Sequence, residues 1–234
     1  YEKLIKKNKH FFVYYKKIIR LLKQIQSIKV KKIKTFKNKN YTIPLYDQKV
    51  LIKEANLFCD WYVKKNLTKS NKKKFSKEFK KIVKKLASQL MLRNDVFVHR
   101  DFHISNLMLV NNRIGVIDNQ DALIGNKAYD LASLIDDVRF KIPNTLKKKI
   151  FHLYLGKQKK KEILKFRNDF EILSILRNFK IIGIFTRLAI RDGKKSYLKL
   201  IPYTWKLISM RMNENNIFID LKNLLNQNFK KEIK

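Results

Sequence analysis

The stretch from Val96 to Leu134 reads VFVHRDFHISNLMLVNNRIGVIDNQDALIGNKAYDLASL, and it differs in texture from the Lys-, Ile-, Asn- and Phe-rich sequence around it. VFVH (96–99), LMLV (107–110) and RIGVID (113–118) are short apolar runs of strand length. Asn111-Asn112 between the second and third predicts a tight hairpin turn, because Asn tolerates positive φ. The first run leads into His99-Arg100-Asp101, Asn106 follows five residues later, and Asp118 ends the third run. A turn and a hairpin can therefore bring Asp101, Asn106 and Asp118 to one spot.

Phosphoryl transfer needs such a set. One carboxylate orients and deprotonates an attacking hydroxyl, while oxygen ligands hold Mg²⁺ against the phosphates. Mg²⁺ keeps several waters, so two protein ligands suffice. Asn106 and Asp118 fit the ligand role and Asp101 fits the base.

Around this segment the chain reads as helix. Apolar residues at Phe11, Phe12, Tyr15, Ile18, Ile19, Leu22 and Ile25 predict one helical face within 3–26. A basic connector (29–40) and YTIPLYD follow, where Pro44 blocks helix. A second helix runs from a cap at Asp47 to about Asn66, burying Leu51, Leu57, Phe58, Trp61 and Tyr62. Ser70 or Asn71 starts a third, with Phe75, Phe79, Ile82, Val83, Leu86 and Leu90 on one side and lysines as its solvated face. Further helices are predicted at 127–139, 144–155, 168–190, 197–211 and 216–228, with Gly193 as a stop signal. The fold class expected is α+β, a mostly helical domain with a small β-hairpin at its working edge.

At 234 residues the chain can bury a sizeable core. Its single cysteine, Cys59, rules out an intrachain disulfide and a zinc knuckle. No apolar run approaches the roughly 18 residues of a membrane span and no signal peptide is visible, so a cytoplasmic location is expected. The 55 Lys and Arg against 19 Asp and Glu give a net charge of +36. The lysines spread over every predicted helix, and the accompanying Ile, Asn, Phe and Tyr enrichment is what AT-rich coding sequence gives. The charge is therefore read as compositional drift in preference to a nucleic-acid surface, although it would still draw in anionic substrates.

H-x-D-x-x-x-x-N followed by a hairpin and I-D is the pattern of a kinase catalytic loop and metal segment. HRDFHISN with GVIDNQDALIGNKAYDLASL resembles the aminoglycoside phosphotransferase/choline kinase-like family. NQDA (119–122), FCDWYV (58–63) and IIGIFTRLAIRDGKKSYLKLIP (181–202) carry the likeness further, toward the bacterial anomeric sugar kinases, over about residues 45–205 in order. Those kinases phosphorylate N-acetylmuramate and N-acetylglucosamine at C1 in cell-wall sugar salvage. The resemblance implies a protein-kinase-like fold, ATP as phosphoryl donor, Mg²⁺ as cofactor and a small sugar as acceptor.

By position the resemblance makes Asp101 the catalytic base and Asn106 and Asp118 the Mg²⁺ ligands. Asp130 of Tyr-Asp-Leu would brace the catalytic loop by hydrogen bonding, and His99 and Arg100 would orient it. His103 is read as structural. Arg187, Arg191, Asp192 and Tyr197 either line a sugar pocket or form a helix C-terminus with an ordinary salt bridge. Asp121 is open between a substrate contact and a structural bond, and Phe58 and Trp61 are read as core.

Two departures stand out. Asn119 occupies a position where these kinases carry an aromatic residue. The chain also has five glycines, no Gly-rich phosphate loop and no strand-borne Lys before its first helix. It opens on Tyr1, so residues 1–234 are read as an excerpt, the C-terminal lobe of a kinase-like phosphotransferase with its catalytic and metal segment at 96–134. The N-terminal nucleotide lobe is expected to be missing, and this chain alone is expected to have little activity while its parent polypeptide is active. Within enzymes the alternative acceptor is an aminoglycoside, choline or another amino alcohol. The alternative of another class is a degenerate lobe that binds nucleic acid or an anionic membrane through its basic surface. Retention of Asp101, Asn106 and Asp118 together argues against that one.

Overall fold

The computed structural model describes residues 11–29, 32–35 and 37–233. Its contacts sort into two compact units, one drawn from Tyr1–Asp47 and Met91–Phe170, the other from Gln48–Leu90 and Glu171–Lys234. The architecture is mixed, with helices predominating and three two-stranded antiparallel sheets among the described residues.

In the first unit, α1 (Phe11–Gln26) buries Tyr15, Ile18, Ile19, Leu22 and Ile25 on the face that their 3–4 spacing predicts. The portion of the expected helix before residue 11 lies outside the described residues. The basic connector holds a small exposed ribbon, β1 (Lys32–Lys34) on β2 (Asn40–Thr42). Strand β3 (Asn94–Val98) leads to the catalytic segment, and β4 (Leu107–Val110) pairs with β5 (Arg113–Val116) as the predicted hairpin. Asn111 and Asn112 at the turn have φ of 45° and 62°, the left-handed pair that a two-residue hairpin loop needs. A strand not foreseen, β6 (Leu123–Asn126), pairs antiparallel with β3, Val98 facing Leu123. The segment 44–46 flanks it, with Tyr46 N donating to the Ile124 carbonyl at 2.7 Å and Ile124 N to the Pro44 carbonyl at 2.9 Å.

Helix α4 (Ala128–Ile135) is buried along its whole length. α5 (Asn144–Leu155) has the bounds expected from its sequence and packs on α1, where Tyr154 Oη donates to Gln26 Oε1 at 2.6 Å. The long α6 (Lys160–Arg191) starts eight residues before the predicted 168, because residues 160–167 are helix-compatible and bury Phe166. Its residues up to Phe170 belong to the first unit and the remainder to the second.

The second unit is built on an aromatic cluster. The Phe58 ring centre lies 4.9 Å from Phe179, 5.4 Å from Phe79, 5.6 Å from Trp205 and 5.8 Å from Phe229. α2 (Gln48–Ala55), α3 (Lys69–Ser88), α7 (Ile201–Met212) and α8 (Ile219–Asn228) supply the surrounding layers. The cap of α3 is Thr68, whose side chain accepts from Asn71 N, and not Ser70 or Asn71. The predicted single helix to Asn66 is interrupted: Phe58–Val63 is a π-helical turn. The wider turn rotates the face that the α-helical period predicts. Phe58, Cys59 and Val63 go inside, whereas Leu57, Trp61 and Tyr62 are only partly buried.

Gly183 of α6 meets this region. A Cβ there would lie 2.3 Å from the Leu57 carbonyl carbon and 2.7 Å from Phe58 N. Backbone cannot rotate away as a side-chain tip can, so Gly183→Ala is expected to cost about 1–3 kcal/mol as an over-packing change. A denaturant titration checks this, and an unchanged midpoint would contradict the close approach. Burial also pushes the Cys59 thiol up to about 12. The native protein is accordingly expected to resist a thiol reagent at about pH 8 and to react fully once unfolded, since the thiolate is the reactive form. Stoichiometric labelling of the native chain would overturn this. No helix among the described residues is long and apolar enough to cross a membrane.

Candidate active site

The site lies within the first unit, on the loop between β3 and β4. Its backbone is shaped by Arg100, which has φ of 74°, and by a 3₁₀ turn at Ile104–Asn106. Such a φ is strained for a side chain bearing Cβ and persists where the surroundings hold it. Here the holder is Asp130, buried on α4. Its Oδ2 accepts from His99 N at 2.8 Å and its Oδ1 from Arg100 N at 2.9 Å.

His99 is buried, and burial pushes its imidazole below the ordinary histidine range, against the opposing pull of the Ile117 carbonyl and of Asp101 and Asp118. The ring meets the Ile117 carbonyl at 3.0 Å through Nε2. A carbonyl only accepts, so Nε2 carries the proton. The ring thus ties the β3 end to the segment carrying Asp118. Arg100 turns back the other way: its guanidinium lies 5.3 Å from the Tyr46 ring centre, and Nη1 donates to the Asp121 carbonyl at 3.0 Å.

These ties bring Asp101, Asn106 and Asp118 together. Asn106 Nδ2 donates to the Asp101 main-chain carbonyl at 3.0 Å and lies 3.4 Å from Asp118 Oδ2. Asn106 O accepts from Ile117 N at 3.0 Å, which seats the hairpin exit against the 3₁₀ turn. The strand ends at Val116, and Asp118 stands two residues beyond it with φ of 70°. Gln120 Nε2 donates to Asp118 Oδ1 at 2.7 Å. Asp101 and Asn106 are half-buried and Asp118 is exposed.

The donor set suits a hard divalent cation. The Asn106 amide nitrogen donates to a main-chain carbonyl and lies 3.4 Å from Asp118 Oδ2, which leaves the amide oxygen with lone pairs for a cation that would also take the Asp118 carboxylate. An amide and a carboxylate oxygen are the sparse protein contribution that Mg²⁺ accepts when water and phosphate complete its octahedron. Among the described residues there is no group of three or more His, Cys, Asp or Glu able to hold a metal.

Of the other residues singled out by sequence, Asp121 contributes its carbonyl to Arg100 while its carboxylate is exposed. Arg187, Arg191, Asp192 and Tyr197 fall in the second unit. Arg191 Nε and Nη2 reach Asp192 Oδ1 and Oδ2 at 2.6 and 3.0 Å, and this pair holds the Asp192 carboxyl below its ordinary range. α6 ends there, with Gly193 at φ of 68°. Tyr197 packs its ring 5.1 Å from that of Phe185.

Three further residues have no signal in the sequence. Asp137 accepts from Ile104 N at 3.2 Å and from Arg139 N at 2.9 Å. Asp169 accepts from Met91 N and Leu92 N, each at 2.8 Å, and from Asn126 Nδ2 at 2.6 Å. Asn126 in turn accepts from Ala128 N at 3.0 Å through Oδ1 and so caps α4.

A carboxylate on a constrained loop, an amide five residues on and a second carboxylate past a hairpin together suit phosphoryl transfer. The chain belongs to the phosphotransferase enzyme family, whose model matches residues 12–164. Among curated proteins it is 36% identical over 166 residues to the N-acetylmuramate/N-acetylglucosamine kinase of Neisseria meningitidis, covering 68% of this chain and 50% of that protein. The protein of the same name from Pseudomonas aeruginosa is 31% identical over 193 residues, with coverage of 78% and 56%. That from Pseudomonas putida is 30% identical over 166 residues, with coverage of 68% and 49%. The chain spans about half the length of the curated relatives it matches.

Proposed function

We propose that the polypeptide containing this chain transfers the γ-phosphate of ATP to the anomeric hydroxyl of N-acetylmuramate or N-acetylglucosamine. The observation that carries this reading is the meeting of Asp101, Asn106 and Asp118 on one loop and hairpin. Similarity to kinases named for N-acetylmuramate and N-acetylglucosamine supports the acceptor.

In this reading Asp101 accepts the proton of the sugar hydroxyl as its oxygen forms the new bond to phosphorus and the bond to the departing ADP oxygen breaks. Asn106 and Asp118 hold Mg²⁺, which when bound neutralises charge on the phosphates. Asp130 keeps the His99 and Arg100 amides in place, so that the Asp101 side chain projects from a fixed backbone. His99 and Arg100 act through this geometry and do not react. Residues 1–234 serve as the C-terminal lobe, with the catalytic and metal segment at 96–134.

The test is an acceptor panel with labelled ATP, using polypeptide from the complete reading frame, and offering N-acetylmuramate, N-acetylglucosamine, kanamycin and choline. Label is expected on the two sugars and is released by brief mild-acid hydrolysis, the lability characteristic of an anomeric phosphate. Transfer to kanamycin or choline alone would move the acceptor to the amino-alcohol class. Absence of Mg²⁺-dependent nucleotide binding would sink the kinase reading altogether.

A further inference from the structure

The catalytic loop is held at two places, and sequence reading foresees only one of them. Asp130 grips its start through His99 N and Arg100 N. Its far end is gripped by Asp137, two residues past the end of α4 and fully buried. The acceptor matters because Ile104 opens the 3₁₀ turn, and the residue before it, His103, offers that turn no side-chain cap. The first N–H groups of a helical turn need a partner. Asp137 Oδ2 supplies it at 3.2 Å from 33 residues away, while its Oδ1 is fixed by Arg139 N at 2.9 Å.

Asp137 is also an expensive way to cap a turn. Burying a carboxylate costs free energy that two neutral amide donors only partly offset. The neighbouring buried Lys147 pairs with Asp136, at 2.6 Å, and no ion pair joins a cation to Asp137 among the described residues. What the bond does fix is geometry. The turn that starts at Ile104 ends at Asn106, whose N–H closes on the His103 carbonyl at 3.0 Å and whose carbonyl takes the Ile117 N–H. The same residue carries the amide that lies beside Asp118.

We infer that Asp137 is a positioning residue for the metal-ligand pair: by holding the Ile104 amide it sets the pitch of the 3₁₀ turn and hence the separation of Asn106 from Asp118. The inference rests on the reading of Asn106 and Asp118 as Mg²⁺ ligands. Without Asp137, residues 104–106 relax while Asp130 still holds His99 and Arg100. Metal affinity then falls more than the stability of the fold does.

The experiment uses Mn²⁺ as the probe, its free concentration read by electron paramagnetic resonance in the presence of a non-hydrolysable ATP analogue. Polypeptide from the complete reading frame is compared with its Asp137→Ala, Asp137→Asn, Asn106→Ala and Asp118→Asn variants, well below each melting temperature. Asp137→Ala is expected to raise the Mn²⁺ Kd by about 10–100-fold, as loss of an outer partner of a ligand does. Asp137→Asn, which keeps one acceptor oxygen, should fall between it and the wild type. Weakened binding in the Asn106 and Asp118 variants with an unchanged Kd in Asp137→Ala overturns the inference alone. An unchanged Kd in all of them overturns the underlying assignment of the ligands. Should the Asp137 variants fail to fold, hydrogen exchange of the Ile104 amide in the wild-type protein decides. Slow exchange supports the grip, and exchange at the rate of a free amide contradicts it.

Discussion

Asp101→Asn is expected to lower turnover by about 10²–10⁴-fold, the contribution of a positioned general base, while Mg²⁺-nucleotide binding stays unchanged. The separation is possible because two bonds that shape the loop at this residue are made to its main chain. His103 N and Asn106 Nδ2 both donate to the Asp101 carbonyl oxygen, each at 3.0 Å. Substituting an amide of the same size removes basicity and leaves both of these main-chain bonds in place. Steady-state kinetics with a parallel nucleotide titration checks the prediction. Wild-type turnover in Asp101→Asn would take the base away from this residue, and lost nucleotide binding would make its role structural.

Asp169→Ala is expected to destabilise the first unit strongly. Its carboxylate accepts from Met91 N, Leu92 N, Asn126 Nδ2 and Asn168 Nδ2, so that both oxygens are used twice. Alanine would leave two part-buried main-chain donors at the entrance to β3 without an acceptor, each costing up to about 1–3 kcal/mol. It would also release Asn126, the cap of the helix that carries Asp130. A loss of about 3 kcal/mol corresponds to a melting temperature lower by roughly 6–12 °C for a chain of this size. A thermal melt followed by circular dichroism measures it, and a shift of only a degree or two would show that water replaces the carboxylate at little cost.

These two residues mark what the sequence makes legible and what it hides. The run LMLVNNRIGVID carries local signals, two short apolar runs and a turn pair tolerant of positive φ, and it forms the hairpin with Leu107 opposite Val116. The bounds of Asn144–Leu155 are equally local, with Pro143 before it and Gly156 after it. β6 has only four residues, LIGN, and its partner β3 lies far back in the chain, so no local period announces it. The π-helical turn at Phe58–Val63 begins where Gly183, more than a hundred residues downstream, meets the backbone of Leu57 and Phe58, and no local period announces that meeting. Buried acids are the least legible. Asp130, Asp137 and Asp169 go inside because main-chain donors from remote segments meet them, and composition alone would place them on the surface. Of the three, only Asp130 is foreseen, through the family resemblance of Tyr-Asp-Leu.

The most direct measurement is the anomalous scattering of Mn²⁺ in crystals of the polypeptide with a non-hydrolysable ATP analogue. The account predicts a peak bonded to the Asn106 side-chain oxygen and to the Asp118 carboxylate at metal–oxygen distances of roughly 2.1 Å, with Asp101 facing the acceptor side and off the metal. A peak that touches neither Asn106 nor Asp118, or one bound by Asp101 instead, would contradict it.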